Sequence, residues 1–240
     1  MRLSDFKVLT FDCYGTLIDW ETGIINALRP VLGKGAAERS HDEILASFAR
    51  HETAQETETP GMLYSELLAR VHRRLAEEWG IAAREEEHRA FGGSVGDWPA
   101  FADSAASLRY LKQFYKLVIL SNVDRTSFAA SNQRLGVVFD AVYTAEEIGS
   151  YKPDPKNFRY MIDALKNAGH AERDILHTAQ SLFHDHAPAN AIGLASAWID
   201  RRLGAEASGA TLRAPGGVHY DFRFGSLAEM VEAHRNELRG

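Results

Sequence analysis

Residues 7–17 of the chain read KVLTFDCYGTL, a short and mostly apolar run that stops at Asp12 and continues into a glycine-containing turn. A second such run, KLVIL at residues 116–120, stops in the same way at Ser121 and Asn122. Short apolar runs of this kind are typical of strands that are buried on both faces of a parallel sheet. Because ligands bind beyond the carboxyl ends of such strands, the residues that follow each run are the first candidates for a functional site.

Three further runs of the same kind follow along the chain, and helical stretches lie between them. The additional strands are predicted at residues 141–144, 175–178 and 195–199. The helices of this part are predicted at residues 107–114, 128–135 and 158–168. Strands that alternate with helices predict an α/β fold, with a Rossmann-like parallel-sheet core that is covered on both faces.

The stretch after the first strand has no buried-strand run and carries helical signals instead. Ser40 and Glu43 match a capping box, which predicts a helix that begins there and runs through Arg50. Residues 63–79 carry leucine and valine side chains at helical spacing and are followed by Gly80, a helix stop. We therefore predict an all-helical cap domain between two parts of the core.

The boundaries of these domains follow from where the strand pattern stops and resumes. The predicted core domain comprises residues 1–20 and 97–240, and the predicted cap domain comprises residues 21–96. A capping box at Ser226 predicts a terminal helix, and the Gly- and Ala-rich residues 204–217 predict a loop.

The composition limits the class of protein. The 240 residues include 27 Lys+Arg and 33 Asp+Glu, so the formal net charge is −6, which argues against nucleic acid as a partner. Cys13 is the single cysteine, which excludes an intrachain disulfide and a disulfide-stapled secreted fold. No apolar run is long enough for a membrane span and the first residues lack a signal-peptide pattern, so we expect a cytoplasmic protein with no membrane partner.

Polar side chains at the ends of the predicted strands and in the loops beyond them would meet at one edge of the sheet. These candidates are Asp12, Thr16, Ser121, Asn122, Lys152 and Asp185. A carboxylate nucleophile, a hydroxyl, an amide, an ammonium and a second carboxylate form a workable constellation for a hydrolase.

Four motifs in order resemble those of the haloacid dehalogenase superfamily. They are DCYGTL at residues 12–17, SN at 121–122, YKPD at 151–154 and QSLFHD at 180–185. The predicted helical insertion is similar to the cap domain of that superfamily. The resemblance covers nearly the whole chain and implies a hydrolase in which Asp12 is the nucleophile.

Two positions bear on the alternative of a Mg²⁺-dependent phosphatase, the commonest activity of the superfamily. Phosphatases have a second Asp two residues after the nucleophile, where this chain has Tyr14, which is no general acid at neutral pH without a large pKa shift. They also have an acidic residue early in the fourth motif, where this chain has Gln180, and losing a carboxylate weakens Mg²⁺ binding. Both departures favour the metal-free branch, the type II L-2-haloacid dehalogenases, with no cofactor.

The resemblance to this branch implies a role for each catalytic candidate. Asp12 would attack C2 of a small 2-substituted carboxylic acid, and water would hydrolyse the resulting aspartyl ester to a 2-hydroxy acid. Lys152 would keep Asp12 ionised, and Thr16 would orient it by a hydrogen bond. Asp185 would position Lys152 or the hydrolytic water.

The substrate would be a small-molecule carboxylate, held by Ser121 and the neighbouring backbone amides. The substrate-binding candidates are Ser121, Asn122, Tyr14, Trp20, Gln180 and Phe158. Dimers are common in this branch, so the resemblance leaves a homodimer open.

At some positions that are expected to act on the leaving group, the chain differs from the dehalogenase pattern. Phe158 stands where the dehalogenases have Tyr, and Gln180 and Leu182 stand where they have Ser and Asn. Their cap arginine has no clear counterpart, although Arg50 lies near its place in the sequence. Segments around the motifs also resemble L-azetidine-2-carboxylate hydrolase of the same branch, which opens a strained ring by the same attack at C2. That activity is the alternative to 2-haloacid hydrolysis.

Overall fold

The computed structural model describes residues 1–33, 39–203, 209–212 and 216–240. The strands are β1 (Val8–Phe11), β2 (Lys116–Ser121), β3 (Ala141–Thr144), β4 (Ile175–Ala179), β5 (Ser196–Ile199) and β6 (Phe222–Phe224). They form one sheet in the order β3-β2-β1-β4-β5-β6, and each strand is parallel to its neighbours. The α/β class and the parallel sheet predicted from the sequence are confirmed.

The sheet is packed on both faces because its strands alternate between two hydrophobic clusters. In β2, Leu117 and Ile119 belong to one cluster, whereas Val118 and Leu120 belong to the other. This burial explains why β2 is apolar from Leu117 to Leu120 and does not alternate with polar residues there.

Ten α-helices are found among the described residues. They are α1 (Trp20–Leu32), α2 (His41–Glu58), α3 (Tyr64–Glu78), α4 (Glu85–Gly92), α5 (Ser104–Leu111), α6 (Arg125–Leu135), α7 (Ala145–Ile148), α8 (Pro155–Asn167), α9 (Ala187–Ala191) and α10 (Leu227–Arg239). The first five lie between β1 and β2, where the described residues form no strand. The division into domains at residues 20 and 97 stays a prediction, since one hydrophobic cluster includes Leu9 of β1 and Leu68 of α3.

The helix predicted from the capping box begins where expected but is longer than predicted. Ser40 Oγ accepts a hydrogen bond from the Glu43 amide, and a Glu43 carboxylate oxygen accepts one from the Ser40 amide at 2.8 Å. The helix continues past Arg50 to Glu58, because residues 51–58 contain no glycine or proline that would end it. This extension places two glutamates on the helix.

Two further expectations need correction or restriction. Strand β6 was missed, because three residues at the edge of a sheet give too short a pattern to recognise. The loop predicted at residues 204–217 lies partly outside the described residues, and 209–212 and 216–217 form turns and irregular backbone. In the described part of the chain, no helix combines the length and the apolar character that crossing a membrane requires.

Candidate active site

Asp12 is the first residue after β1 and is buried at the carboxyl end of the sheet. Its Oδ2 atom accepts a hydrogen bond of 2.6 Å from the Thr16 hydroxyl. The chain turns back between these two residues at Gly15, whose φ of +92° suits glycine. A Cβ at Gly15 would also lie 3.0 Å from Trp20 Nε1, so a larger residue would crowd the turn that brings Thr16 to Asp12.

Lys152 connects the carboxylates of the site. Its Nζ donates hydrogen bonds to Asp12 Oδ1 at 2.9 Å, Asp185 Oδ1 at 2.7 Å and the Leu120 carbonyl at 3.0 Å. These three bonds use all the N–H donors of the ammonium. Asn122 holds the backbone of Lys152 on both sides, accepting from its amide at 2.6 Å and donating to its carbonyl at 3.0 Å.

The charges of this cluster are mutually dependent. Burial raises the pKa of Asp12, and the Lys152 ammonium opposes this rise. Burial alone would lower the pKa of Lys152, but the Asp12 and Asp185 carboxylates raise it above its usual value. Burial would likewise raise the pKa of Asp185, but the Lys152 charge and a hydrogen bond from His177 hold it below its usual range. We infer that the site carries an ammonium between two carboxyl groups.

A buried histidine, His177, forms a hydrogen bond with Asp185. Asp185 belongs to a single π-helical turn, Leu182–His186, and its Oδ1 lies 2.9 Å from His177 Nε2. The other ring nitrogen of His177 lies 2.8 Å from Thr10 Oγ1. Both His177 and Thr10 are fully buried, so a chain of hydrogen bonds runs from β1 through β4 to Lys152.

A cavity opens beside this cluster. The described residues that line it are Asp12, Tyr14, Trp20, Glu52, Glu56, Tyr64, Ser121, Asn122, Val123, Lys152, Ser181, His184, Asp185 and Thr211. Lys152 is the only Lys or Arg among these residues. Asp12, Lys152 and Asp185 reach the cavity from the ends of the strands or just beyond them, whereas Glu52 and Glu56 reach it from α2.

Glu52 and Glu56 were not singled out from the sequence. Tyr64 donates a 2.6 Å hydrogen bond to Glu52 Oε1, and Asn122 Nδ2 donates one of 3.1 Å to Glu56 Oε1. Burial raises the pKa of Glu52 to about 8. Burial and the neighbouring Glu52 raise the pKa of Glu56 well above its usual value. The cavity therefore has a second acidic surface, formed by Glu52 and Glu56 of α2 and separate from the Asp12 cluster. We call this surface the acidic wall.

His184 also faces the cavity with one ring nitrogen free. Its Nδ1 lies 3.3 Å from Ser181 Oγ, and its Nε2 lies 4.0 Å from Glu56 Oε2, with no hydrogen-bond partner in the described structure. Burial lowers the pKa of His184 to about 4, so the ring is neutral near pH 7.

The remaining predicted substrate-binding residues divide into two groups. Ser121, Asn122, Tyr14 and Trp20 line the cavity, and Ser121 Oγ has no partner among the described atoms. Tyr14 is held through its hydroxyl, which lies 2.9 Å from Ser131 Oγ.

Gln180 and Phe158 are not among the cavity-lining residues. Gln180 instead donates its backbone amide to Thr16 Oγ1 at 2.9 Å, and so supports the residue that orients Asp12. Phe158 is fully buried in the hydrophobic cluster with Val118 and packs edge-to-face against His177, with ring centroids 5.0 Å apart. The expectation that Phe158 contacts substrate is therefore corrected, because its aromatic ring packs in the core.

Arg50 is not among the described residues that line the cavity. Its guanidinium donates a 2.8 Å hydrogen bond to Glu78 on α3, with 58% of the side chain exposed. The acidic residues that do reach the cavity lie two and six positions later on the same helix. Their spacing of four residues places them on one face of a helix, and the sequence shows this spacing. It was not used because the helix was expected to end at Arg50, before either of them.

The residues at the carboxyl ends of the strands do not fit a Mg²⁺ site. Tyr14 stands where a phosphatase has its second Asp. Its hydroxyl forms a hydrogen bond with Ser131 Oγ. Lys152 Nζ binds Oδ1 of both Asp12 and Asp185, so a positive charge already lies between the two carboxyl groups. In the described ranges, no three His, Cys, Asp or Glu side chains form a group that could hold a metal ion.

The comparison with protein families decides the identity of the fold. The model of the haloacid dehalogenase-like hydrolase family matches residues 6–177. The chain belongs to this family. No curated protein matches this hydrolase in sequence.

Solved structures share the whole fold of this hydrolase at low sequence identity. The L-2-haloacid dehalogenase PA0810 is 23% identical, with a TM-score of 0.75 over 95% of this chain and 98% of its own. The defluorinating L-2-haloacid dehalogenase Rha0230 is 20% identical, with a TM-score of 0.79 over 98% and 99%. The L-2-haloacid dehalogenase from Xanthobacter autotrophicus with covalently bound chloropropionic acid is 18% identical, with a TM-score of 0.77 over 96% and 98%.

Proposed function

We propose that this hydrolase acts without a metal ion by nucleophilic displacement at C2 of small 2-substituted carboxylic acids. The observation that carries the proposal is the Asp12 carboxylate, buried beside the cavity and bound by the Lys152 ammonium at 2.9 Å and the Thr16 hydroxyl at 2.6 Å. A carboxylate is a weak nucleophile in water, and its exclusion from bulk solvent removes the hydration that weakens it.

In the first step, an oxygen of Asp12 attacks C2, the bond from C2 to its substituent breaks, and an aspartyl ester forms with inversion. The unpartnered hydroxyl of Ser121 is available to hold the substrate carboxylate. In the second step, water attacks the ester carbonyl of Asp12 and a 2-hydroxy acid leaves. Lys152 and Thr16 are placed to stabilise the oxyanion of this step, and Asp185 Oδ2, which has no partner in the described part, is available to position the water.

The leaving group distinguishes two candidate reactions. A 2-haloacid is the first candidate, because solved L-2-haloacid dehalogenases share the fold and one of them holds chloropropionic acid covalently. Ring opening of L-azetidine-2-carboxylate is the second, because Arg50 lies away from the cavity and Glu52 and Glu56 supply acidic groups there. The ring nitrogen is already protonated at neutral pH and leaves as a neutral amine, so it calls for hydrogen-bond acceptors and not for the positive charge that a leaving halide needs.

A panel of two substrates tests the proposal. The protein is incubated with S-2-chloropropionate and with L-azetidine-2-carboxylate in the presence of EDTA, and chloride and 2-hydroxy acid are measured. We expect turnover of at least one substrate, undiminished by EDTA and abolished by Asp12→Asn. Asp163→Asn, at an exposed position of α8, is the matched control and should retain full activity.

Two outcomes would reject the proposed function. Failure to turn over either substrate would make the substrate class wrong. Release of phosphate from p-nitrophenyl phosphate that depends on Mg²⁺ and on Asp12 would instead support a phosphatase.

A further inference from the structure

Glu52 and Glu56 lie four residues apart on α2 and therefore share one face of the helix. Both side chains are buried and both line the cavity that contains Asp12. Each carboxyl group accepts one hydrogen bond through Oε1, from Tyr64 or from Asn122. In the described structure, Oε2 of each accepts none.

Two buried carboxyl groups at this spacing cannot both ionise without a compensating charge. No Lys or Arg of the described chain forms a salt bridge with either of them. The charge of Lys152 offsets only part of the rise in the pKa of Glu56, and the neutral ring of His184 lies 4.0 Å from Glu56 Oε2. Such a pair either keeps protons or binds a cation from outside.

His184 is an independent observation on the same wall of the cavity. His184 is only 9% exposed, and its Nε2 is buried with no hydrogen-bond partner in the described part of the chain. In the tautomer that donates from Nδ1 to Ser181, this nitrogen is an acceptor aimed at the cavity. The wall thus combines three acceptors from Glu52, Glu56 and His184, whereas a substrate ammonium has three donors and no acceptor.

We propose that Glu52, Glu56 and His184 bind a protonated amine on the substrate, so that the natural substrate is a small amino-substituted carboxylic acid. The inference rests on the proposed displacement at C2, because the amine site and Asp12 share one cavity. In this proposal, Glu52 and Glu56 determine the specificity of the enzyme. The acidic wall recognises the positive charge of the substrate. An anionic group at that wall would leave an ionised carboxyl group without a compensating charge.

Pairs of ligands that differ only in one nitrogen test this inference directly. β-Alanine and butanoate have the same shape, with an ammonium in the first where the second has a methyl group. L-Azetidine-2-carboxylate and cyclobutanecarboxylate form a second pair, with the nitrogen attached to C2. Dissociation constants are measured by calorimetry, with wild-type protein for the first pair and with the Asp12→Asn variant for the second, which prevents turnover.

We expect the amine of at least one pair to bind at least tenfold more tightly than its carbon analogue, as charge-assisted hydrogen bonds provide. Glu56→Gln and Glu52→Gln should remove this preference while leaving the affinity for the carbon analogue within about twofold. Glu58→Gln is the matched control, since Glu58 lies on the same helix but bonds Arg74 outside the cavity. A circular-dichroism melt of each variant shows that it is folded.

Equal affinity of amine and carbon analogues in both pairs would overturn the inference, and so would a preference that survives both glutamine substitutions. Failure of the proposed function is distinguishable from this result. A protein that hydrolyses S-2-chloropropionate but shows no amine preference keeps the displacement at C2 and loses the amine site. A protein that selects amines but forms no ester on Asp12 keeps the amine site and loses the displacement.

Discussion

Lys152 Nζ lies 2.9 Å from Asp12 Oδ1, although the two residues are 140 positions apart in the chain and both are buried. The same ammonium lies 2.7 Å from Asp185, so one cation faces two carboxyl groups. Taking such charges out of water is costly unless they are paired. The proposed chemistry and part of the stability of the fold therefore depend on one side chain.

Replacement of Lys152 by Met should abolish activity and destabilise the protein at neutral pH by about 3–5 kcal/mol, because two carboxyl groups lose their buried partner. Without the ammonium their pKa values rise, so the folded variant binds more protons than the unfolded chain and its stability falls as pH rises. Chemical denaturation at several pH values measures this trend. Lys156→Met, at an exposed position in the first turn of α8, should change neither activity nor the pH trend.

Thr16→Val should lower kcat by about tenfold or more, because a hydrogen bond to a charged group is worth roughly 1.5–3 kcal/mol. The hydroxyl both donates to Asp12 and accepts from the Gln180 amide, so valine leaves two polar groups without a partner. Thr16→Ser retains the hydroxyl and should retain most of the activity. Equal kcat for the valine and serine variants would show that the hydrogen bond to Asp12 does not contribute.

Glu52 should make the protein less stable as pH rises. Burial raises its pKa from 4.5 to about 8, so between these values the folded state holds a proton that the unfolded state has released. The slope of unfolding free energy against pH is then negative, by up to about 1.4 kcal/mol per pH unit. The groups that face it, Tyr64 and Glu56, are acidic and do not reverse the sign.

The melting temperature measured between pH 4.5 and about 8 checks this prediction. Relative to Glu52→Gln, the wild-type protein should lose stability steadily over that range. A difference between the two proteins that stays constant with pH would mean that Glu52 ionises normally in the fold.

His177→Phe should remove one hydrogen bond from Asp185 while keeping a ring of similar size in β4. The pKa of Asp185 should rise, since that hydrogen bond helps to hold it low. We expect the acidic limb of the kcat/KM profile to move to higher pH and the unfolding free energy to fall by about 1–3 kcal/mol. Thr10→Val, which alters only the far end of the chain of hydrogen bonds, should leave the profile nearly unchanged.

The sequence carried enough information to predict the sheet and the Asp12 cluster. Apolar runs that end at Asp12 and Ser121 indicate both the strands and the edge where polar residues meet. The structure brings Asp12, Thr16, Lys152 and Asp185 into hydrogen-bond contact, as the order of the motifs predicted. Their catalytic roles stay predictions.

The acidic wall of the cavity was not predictable in the same way. Glu52 and Glu56 lie in the polar stretch HETAQETE, which looks like a solvated surface until α2 is known to continue through it. Which face of that helix is buried depends on packing against α3 and on the position of the cavity, and these are tertiary facts. His177 was missed because one histidine in an apolar strand gives no signal about its partner.

A single turnover in ¹⁸O-labelled water tests the central claim, a covalent ester on Asp12, most directly. Enzyme in excess is mixed with substrate, and both the 2-hydroxy acid and the peptide containing Asp12 are analysed by mass spectrometry. Because water attacks the ester carbonyl, the label should appear in the Asp12 carboxylate, and the first product should carry unlabelled oxygen. A first product that carries the label, with an unlabelled Asp12, would mean that water attacks the substrate directly and would contradict the ester mechanism.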